Sequence, residues 1–334
     1  MAIMNIIQAV NSALKLEMKR DPDVILLGED IGKFGGVFRA TAGLFEEFGP
    51  DRVIDTPLAE GGIIGTAVGM ALYGLRPIPE IQFSDFIWPA FDQITSEVAK
   101  YRYRSGGEYP VPMVIRTPVG GGIRGGHYHS QHPETYFAHT AGLKIACPSN
   151  PYDAKGMLIS AIRDEDPVMF FEPKRIYRGF IDVNGRPQPW DMEVPEGDFQ
   201  VPLGEAKVAR EGNQVTLVAW GAQVHEAMAA AEIAAADGYS VEVIDLRSII
   251  PLDLDTLIES VKKTGRFIVT HEAPRTSGFG GELIALVNEH AFLHLEAPPK
   301  RVTGWDTPFP YTLEMDYLPR APRVVEAIKE TVNF

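Results

Sequence analysis

A single cysteine, Cys147, stands among 334 residues, so no disulfide can form within the chain and a small disulfide-stapled scaffold is excluded. Its surroundings, Leu-Lys-Ile-Ala-Cys-Pro, read as a strand, which makes Cys147 a buried structural thiol rather than a nucleophile. Long apolar runs are also missing: no stretch of eighteen apolar residues occurs, so no membrane-spanning helix and no membrane partner are expected. The opening Met-Ala-Ile-Met-Asn-Ile-Ile-Gln lacks the basic, apolar and small-residue series of a secretory signal, and with the lone cysteine this predicts a cytoplasmic protein. Positive charge is outnumbered, with 31 Lys and Arg against 45 Asp and Glu. The net charge of −14 argues against nucleic acid and is compatible with a basic protein partner. His-Glu-x-x-His and paired-cysteine spacings are absent, as are internal repeats and low-complexity tracts.

What remains is ordinary globular composition, 45% hydrophobic and 23% charged, in a chain long enough for two domains with full cores. Apolar periodicity predicts a helix over 5–19, a buried strand over 24–27 and a small-residue helix over 60–73. Strands at 79–83, 113–116, 143–146 and 168–171 then alternate with helices at 88–103 and 152–163, the rhythm of a wound α/β domain with a mostly parallel sheet. The rhythm stops between Tyr177 and Pro202, where glycines and prolines mix with acidic residues. A second α/β unit follows, with strands at 215–219, 241–245 and 267–270 and helices at 226–236 and near 254–262. The expected organisation is therefore an α/β domain over 1–178, a proline-rich linker over 179–204 and a second α/β domain over 205–334.

Four segments carry chemistry. Gly120 to Glu134 sets His127, His129, His132, Arg124 and Glu134 on a glycine-rich loop, where neither a core nor a merely flexible linker would need imidazoles. It reads as a catalytic loop, against the alternatives of zinc ligation and of a mobile surface loop. In Asp55-Thr-Pro-Leu-Ala-Glu60-Gly-Gly, Pro57 precedes a helix whose first turn carries Glu60, and helix capping is the plain explanation. Gln82 to Gln93 follows a strand end, where open α/β sheets hold ligands, and its Phe83, Phe86, Trp88 and Phe91 serve equally as core or as surfaces for a flat heteroaromatic ring. Gly28 to Gly36 also follows a strand, but it completes no phosphate-loop pattern, and Glu29 and Asp30 stand where a phosphate would want amides.

Taken in order, Asp55-Thr-Pro-Leu-Ala-Glu60, Gln82-Phe-Ser-Asp-Phe-Ile-Trp-Pro-Ala-Phe-Asp-Gln-Ile94, Lys100-Tyr-Arg-Tyr-Arg-Ser-Gly106, Tyr128-His-Ser-Gln-His-Pro-Glu134, Pro151-Tyr-Asp-Ala-Lys-Gly156 and Phe171-Glu-Pro-Lys-Arg-Ile-Tyr-Arg178 resemble the beta subunits of thiamin-diphosphate-dependent 2-oxoacid dehydrogenases. The likeness continues through Asp245-Leu-Arg-Ser-Ile-Ile-Pro-Leu-Asp253, Arg301-Val-Thr-Gly-Trp-Asp-Thr-Pro-Phe-Pro310 and Leu318-Pro319, covering essentially the whole chain. It implies a pyrimidine-binding α/β domain followed by a transketolase C-terminal-like domain. It also implies an alpha2-beta2 heterotetramer whose alpha subunit supplies the diphosphate and magnesium site, and an acyltransferase core that receives the acyl group on lipoamide. No Gly-Asp-Gly diphosphate motif with its downstream asparagine occurs in this chain, which agrees with that division.

On this resemblance Glu60 faces the pyrimidine ring nitrogen and promotes cofactor activation, and His129 is the active-site histidine of acyl transfer. Leu58, Gln82 and Phe86 line the pyrimidine pocket, Phe86 as the stacking surface, and Glu29 belongs to a polar tunnel between the two cofactors. His127 and His132 receive no role. Relatives also hold a monovalent cation on backbone carbonyls, here those of Val111, Met113, Val114, Ala161, Asp164 and Asp166, with potassium as the candidate ion. The histidine segment resembles the branched-chain enzymes more than the pyruvate enzymes, so oxidative decarboxylation of branched-chain 2-oxoacids is expected, with pyruvate as the alternative. Other rivals are a transketolase-like enzyme acting on sugars, a non-catalytic docking subunit, and a zinc hydrolase built on the three loop histidines.

Overall fold

The computed structural model describes residues 1–181, 187–189 and 191–334, so residues 182–186 and 190 of the expected linker lie outside the described residues. The first helix, Ile6–Arg20, begins where a capping box forms: Gln8 N–H donates to the Asn5 side chain at 3.0 Å, and Asn5 N–H donates to Gln8 Oε1 at 2.9 Å. Ile6, Ala9, Val10, Ala13 and Leu14 recur at helical spacing, and this buried face packs on the helix Pro151–Arg163.

A seven-stranded sheet forms the first unit. Its spatial order is Ser248–Ile250, Lys144–Ala146, Val168–Pro173, Val114–Val119, Arg76–Glu80, Val24–Gly28 and Val53–Asp55. Six of the strands run parallel, and Val114–Val119 and Val168–Pro173 are buried at every position, as a sheet covered on both faces requires. The seventh, Ser248–Ile250, pairs antiparallel with Lys144–Ala146 and comes from the second half of the chain.

The second sheet orders Lys207–Arg210, Val241–Asp245, Val215–Ala219, Phe267–Pro274 and Lys300–Gly304, all parallel except the first. The two sheets do not have fully separate interiors. One buried cluster joins Val119, Cys147 and Phe171 of the first to Trp220, Ile244 and Val269 of the second. Cys147 is buried and free, in keeping with a structural thiol.

Two sequence expectations shift. The strand expected over 79–83 is Arg76–Glu80, ending before Gln82, so its last residues become the turn that carries Phe83 and Phe86. The helix expected over 88–103 is instead a 3₁₀ turn at Trp88–Ala90, a π-helix at Gln93–Val98 and a short α-helix at Tyr101–Arg104. Pro89, which lacks an N–H to donate, falls within the leading turn, and a π segment is a common insertion near functional sites. No helix among the described residues is long and apolar enough to cross a membrane.

Candidate active site

Parallel strands put their carboxyl ends along one edge, and loops leave from that edge. Here Val24–Gly28 leads to Glu29, Val53–Asp55 to Leu58 and Glu60, Arg76–Glu80 to Gln82 and Phe86, Val114–Val119 to the histidine loop, and Val168–Pro173 to Lys174. The fold thus brings the loops bearing Glu29, Leu58, Glu60, Gln82, Phe86 and His129 to the same edge of one sheet.

Glu60 is the first residue of the helix Glu60–Leu72 and is 9% exposed. Its carboxyl makes no hydrogen bond or ion pair with the described residues, and its oxygens are not among the fully enclosed polar atoms without a partner, so they stay accessible to solvent or to a ligand. Partial burial, then the charges of Asp30 and Glu60, hold the neighbouring Glu29 carboxyl above its ordinary pKa. Leu58, two residues before Glu60, is by contrast 70% exposed, a large aliphatic side chain left open. Gly61 packs so closely on Pro89 that a Cβ would stand 3.0 Å from the Pro89 carbonyl oxygen, which keeps the Glu60 turn against the aromatic segment.

His129 lies edge-on to two rings, with centroids 4.6 Å from Phe83 and 5.3 Å from Phe86. Phe86 and Gln82 are half-buried, whereas Phe83 is buried beneath them. The loop is closed at its base by Gly120 N–H donating to the Gln131 carbonyl at 2.9 Å. Asp85 accepts Gln131 N–H at 3.2 Å, and the Lys174 ammonium donates to the Gly120 carbonyl. Burial pushes the Lys174 ammonium down to about 8, against the opposing pull of Asp85, Glu272 and Glu314. None of Asp85, Lys174, Glu272 and Glu314 was assigned a role by sequence. The positions of Asp85 and Lys174 inside two of the motifs were the only available signal.

The three loop histidines do not converge. His127 lies against Tyr128, with centroids 4.0 Å apart, while His132 turns inward. Its Nδ1 lies 2.6 Å from Glu134 Oε2, and its Nε2 lies 3.9 Å from Cys147 Sγ. Burial opposes the imidazolium, but the Glu134 carboxylate and the Cys147 thiol outweigh it and hold the His132 pKa well above its ordinary value. Among the described residues no group of three His, Cys, Asp or Glu is arranged to hold a metal ion. A cavity of about 550 Å³ is lined by Phe91, His132, Tyr136, His139 and Pro274, among others, and excludes Glu29, Leu58, Glu60, Gln82, Phe86 and His129.

Backbone carbonyls named for a cation already have donors. Val111 O accepts Met113 N–H at 2.9 Å, Met113 O accepts Val168 N–H at 3.0 Å, and Ala161 O accepts Asp164 N–H at 3.3 Å. Asp164 O accepts from Arg76 at 3.2 Å. Each oxygen keeps a second lone pair. Val114 and Asp166 stand beside these groups, Asp166 paired with Arg102 at 2.6 Å and Lys144 at 3.2 Å.

Comparison with known proteins gives the arrangement a family. Residues 3–179 match the transketolase pyrimidine binding domain, and residues 204–324 match the transketolase C-terminal domain. Over 99% of its length the chain is 52% identical to a 2-oxoisovalerate dehydrogenase subunit beta of Pseudomonas aeruginosa, covering 95% of that protein. It is 50% identical to the mitochondrial 2-oxoisovalerate dehydrogenase subunit beta of Dictyostelium discoideum, over 99% of this chain and 87% of that one. A pyruvate dehydrogenase E1 component subunit beta of Staphylococcus epidermidis is 49% identical over 100% of both chains. A solved split-gene transketolase, described as an inactive beta4 tetramer, shares the fold with a TM-score of 0.78, covering 99% of each chain at 21% identity. The chain belongs to the beta subunits of the thiamin-diphosphate-dependent 2-oxoacid dehydrogenases.

Proposed function

We propose that this chain is the beta subunit of a branched-chain 2-oxoacid dehydrogenase, active only in an alpha2-beta2 heterotetramer and passing its acyl product to lipoamide on a dihydrolipoyl acyltransferase core. In this reading residues 1–178 bind the cofactor pyrimidine, residues 179–204 connect, and residues 205–334 form the C-terminal domain. The alpha subunit holds the diphosphate and magnesium, and the assembly works in the cytoplasm. The observation that carries the reading is Glu60, 9% exposed at the start of its helix and with no hydrogen bond or ion pair among the described residues, two residues after the exposed Leu58. An aminopyrimidine fits both, since its ring nitrogen satisfies the acid and its face covers the leucine.

When bound, thiamin diphosphate would supply nucleophilic and electron-accepting chemistry for decarboxylation of a 2-oxoacid, with Glu60, Leu58, Gln82 and Phe86 as the residues that would hold its pyrimidine. Glu60 holds a proton at the pyrimidine nitrogen, Phe86 and Leu58 provide apolar faces, and Gln82 meets the polar edge. His129, kept in place by Phe83 and Phe86, moves a proton during acyl handover. Glu29 shares its environment with Glu60, so its state responds to the charge there. The carbonyls of Val111, Met113, Val114, Ala161, Asp164 and Asp166 hold potassium in the same reading, which a rise in melting temperature with potassium but not with choline chloride would support.

The test is turnover by this chain co-expressed with its alpha-type partner, measured on 3-methyl-2-oxobutanoate and on pyruvate with and without cofactor. Higher kcat/KM for the branched substrate is expected. A strong preference for pyruvate, favoured by the 49% identical pyruvate dehydrogenase subunit, overturns the substrate assignment.

A further inference from the structure

The His129 loop belongs to the first unit, yet much of what holds it comes from the second. Gly121 N–H donates to Glu272 Oε2 at 2.9 Å, and Glu272 lies on the strand Phe267–Pro274. Arg124 N–H donates to Glu314 Oε2 at 3.0 Å, and Glu314 opens the short helix Glu314–Tyr317. Contact is close throughout: a Cβ on Gly121 would stand 2.8 Å from the Phe309 ring, and one on Gly126 would run into the Tyr311 ring. Tyr311 also meets His127 edge-on, with ring centroids 6.1 Å apart.

The two carboxylates differ in their surroundings. Glu272 is paired with Arg175 at 2.9 Å, and Arg175 reaches Glu226 at 2.7 Å, so Glu272 has an ordinary structural role in a buried ion network. Glu314 is 3% exposed, and among the described residues its hydrogen bond comes from a neutral backbone amide. Burying a carboxylate against one amide is unfavourable, even with the Lys174 charge nearby. Arg124 itself stands at φ +55, a left-handed conformation that a non-glycine residue adopts only when its surroundings impose it. Two costly features meet at a single hydrogen bond, five residues before His129.

We propose that Glu314 is a positioning residue, holding the Gly120–Gln131 loop through the Arg124 amide and so setting where His129 stands. The C-terminal unit thereby takes part in building the active site. This inference rests on the proposed role of His129.

The experiment uses the assembled heterotetramer carrying Glu314→Ala or Glu314→Gln, with His129→Ala alongside. Two quantities are read: hydrogen exchange of peptides spanning 120–131, and kcat and KM for the 2-oxoacid with lipoamide as acceptor. Loss of a hydrogen bond to a charged acceptor corresponds to roughly tenfold to hundredfold. Glu314→Ala is expected to speed loop exchange and lower kcat by about tenfold or more, with KM changed less than about threefold. Glu314→Gln, whose amide oxygen still accepts from Arg124, is expected to restore most of both. Unchanged exchange and kcat in Glu314→Ala overturn the proposal, as does a Glu314→Gln as damaged as the alanine variant. Should Glu314→Ala fail to assemble, Glu314→Asp decides, since its carboxylate keeps the charge but falls a methylene short of the Arg124 amide; faster loop exchange with lower kcat supports the proposal, and unchanged values overturn it. Full turnover in His129→Ala would remove the role of His129, while exchange in the Glu314 variants would still report whether the second unit holds the loop.

Discussion

Replacing Arg116 by leucine tests the physical basis of the strand edge that carries Gln82 and Phe86. Arg116 is 2% exposed in the middle of the first sheet. Its Nη1 donates to Glu80 at 2.7 Å and its Nε to Glu172 at 2.7 Å, while the Tyr177 hydroxyl donates to Glu172 at 2.7 Å. A leucine leaves two buried carboxylates without a cation, and breaking a buried pair in this way costs about 3–5 kcal/mol. Spread over a unit of this size, that lowers the melting temperature by about 10 °C. The loss depends on pH. Burial raises the Glu80 pKa and Arg116 opposes that rise, so removing Arg116 raises it further. A carboxyl whose folded pKa lies above its unfolded value contributes stability below the unfolded pKa and loses it as pH rises through the folded value. The deficit should therefore be small near pH 4.5 and full at pH 7.5. Calorimetry of the assembled protein at fixed concentration, with Arg116→Leu and wild type compared across that range, measures it. A deficit below about 1 kcal/mol at pH 7.5, or one independent of pH, would refute the reasoning.

Other consequences follow from buried titrating groups. Burial raises the Asp245 pKa to about 6 against hydrogen bonds from Ser149 and Arg247 N–H, so the protein loses stability as pH rises from about 4 to about 6. The difference from the ordinary 3.8 corresponds to about 3 kcal/mol at most. Because an asparagine offers one acceptor to two donors, Asp245→Asn should gain about 1 kcal/mol at pH 7.5 and nothing at pH 4 by calorimetry. His132 is the reverse case: its raised pKa stabilises the fold fully below its ordinary value and less as pH climbs through the raised one. His132→Gln should therefore be less stable than wild type near pH 6 by about 2 kcal/mol or more, with a gap that narrows at alkaline pH. A gap that widens with pH would show that His132 is neutral in the fold.

Much of the scaffold was legible from the sequence because local signals agreed with the final packing. Asn5 and Gln8 announce the first helix, and the apolar runs at 24–27, 215–219 and 241–245 mark central strands at nearly their observed limits. The helix Gly280–Ala291, the helix Ala321–Val332 and the strand Lys300–Gly304 went unassigned, the last because it opens on Lys300 and Arg301 rather than on an apolar run. The crossing strand Ser248–Ile250 was illegible for a different reason, since its partner, Lys144–Ala146, lies about a hundred residues earlier.

The site divides in the same way. Residues at strand ends could be read off by motif, and the fold brings their loops to one edge. Glu272 and Glu314 could not, because an isolated glutamate on a strand or short helix carries no local mark of the distant amide it accepts. The glycines of the histidine loop were legible as unusual, but only the structure gives their reason. At Gly121 and Gly126 the backbone meets Phe309 and Tyr311, aromatic residues from the other end of the chain.

The central claim is that Glu60 acts on a bound cofactor rather than merely capping a helix. Its most direct test is decarboxylation of 3-methyl-2-oxobutanoate by the heterotetramer carrying Glu60→Gln, with assembly checked by sedimentation. The account predicts an intact tetramer whose cofactor-dependent turnover is lower by about a hundredfold or more; an intact tetramer with wild-type turnover would contradict it and leave Glu60 a helix-start residue.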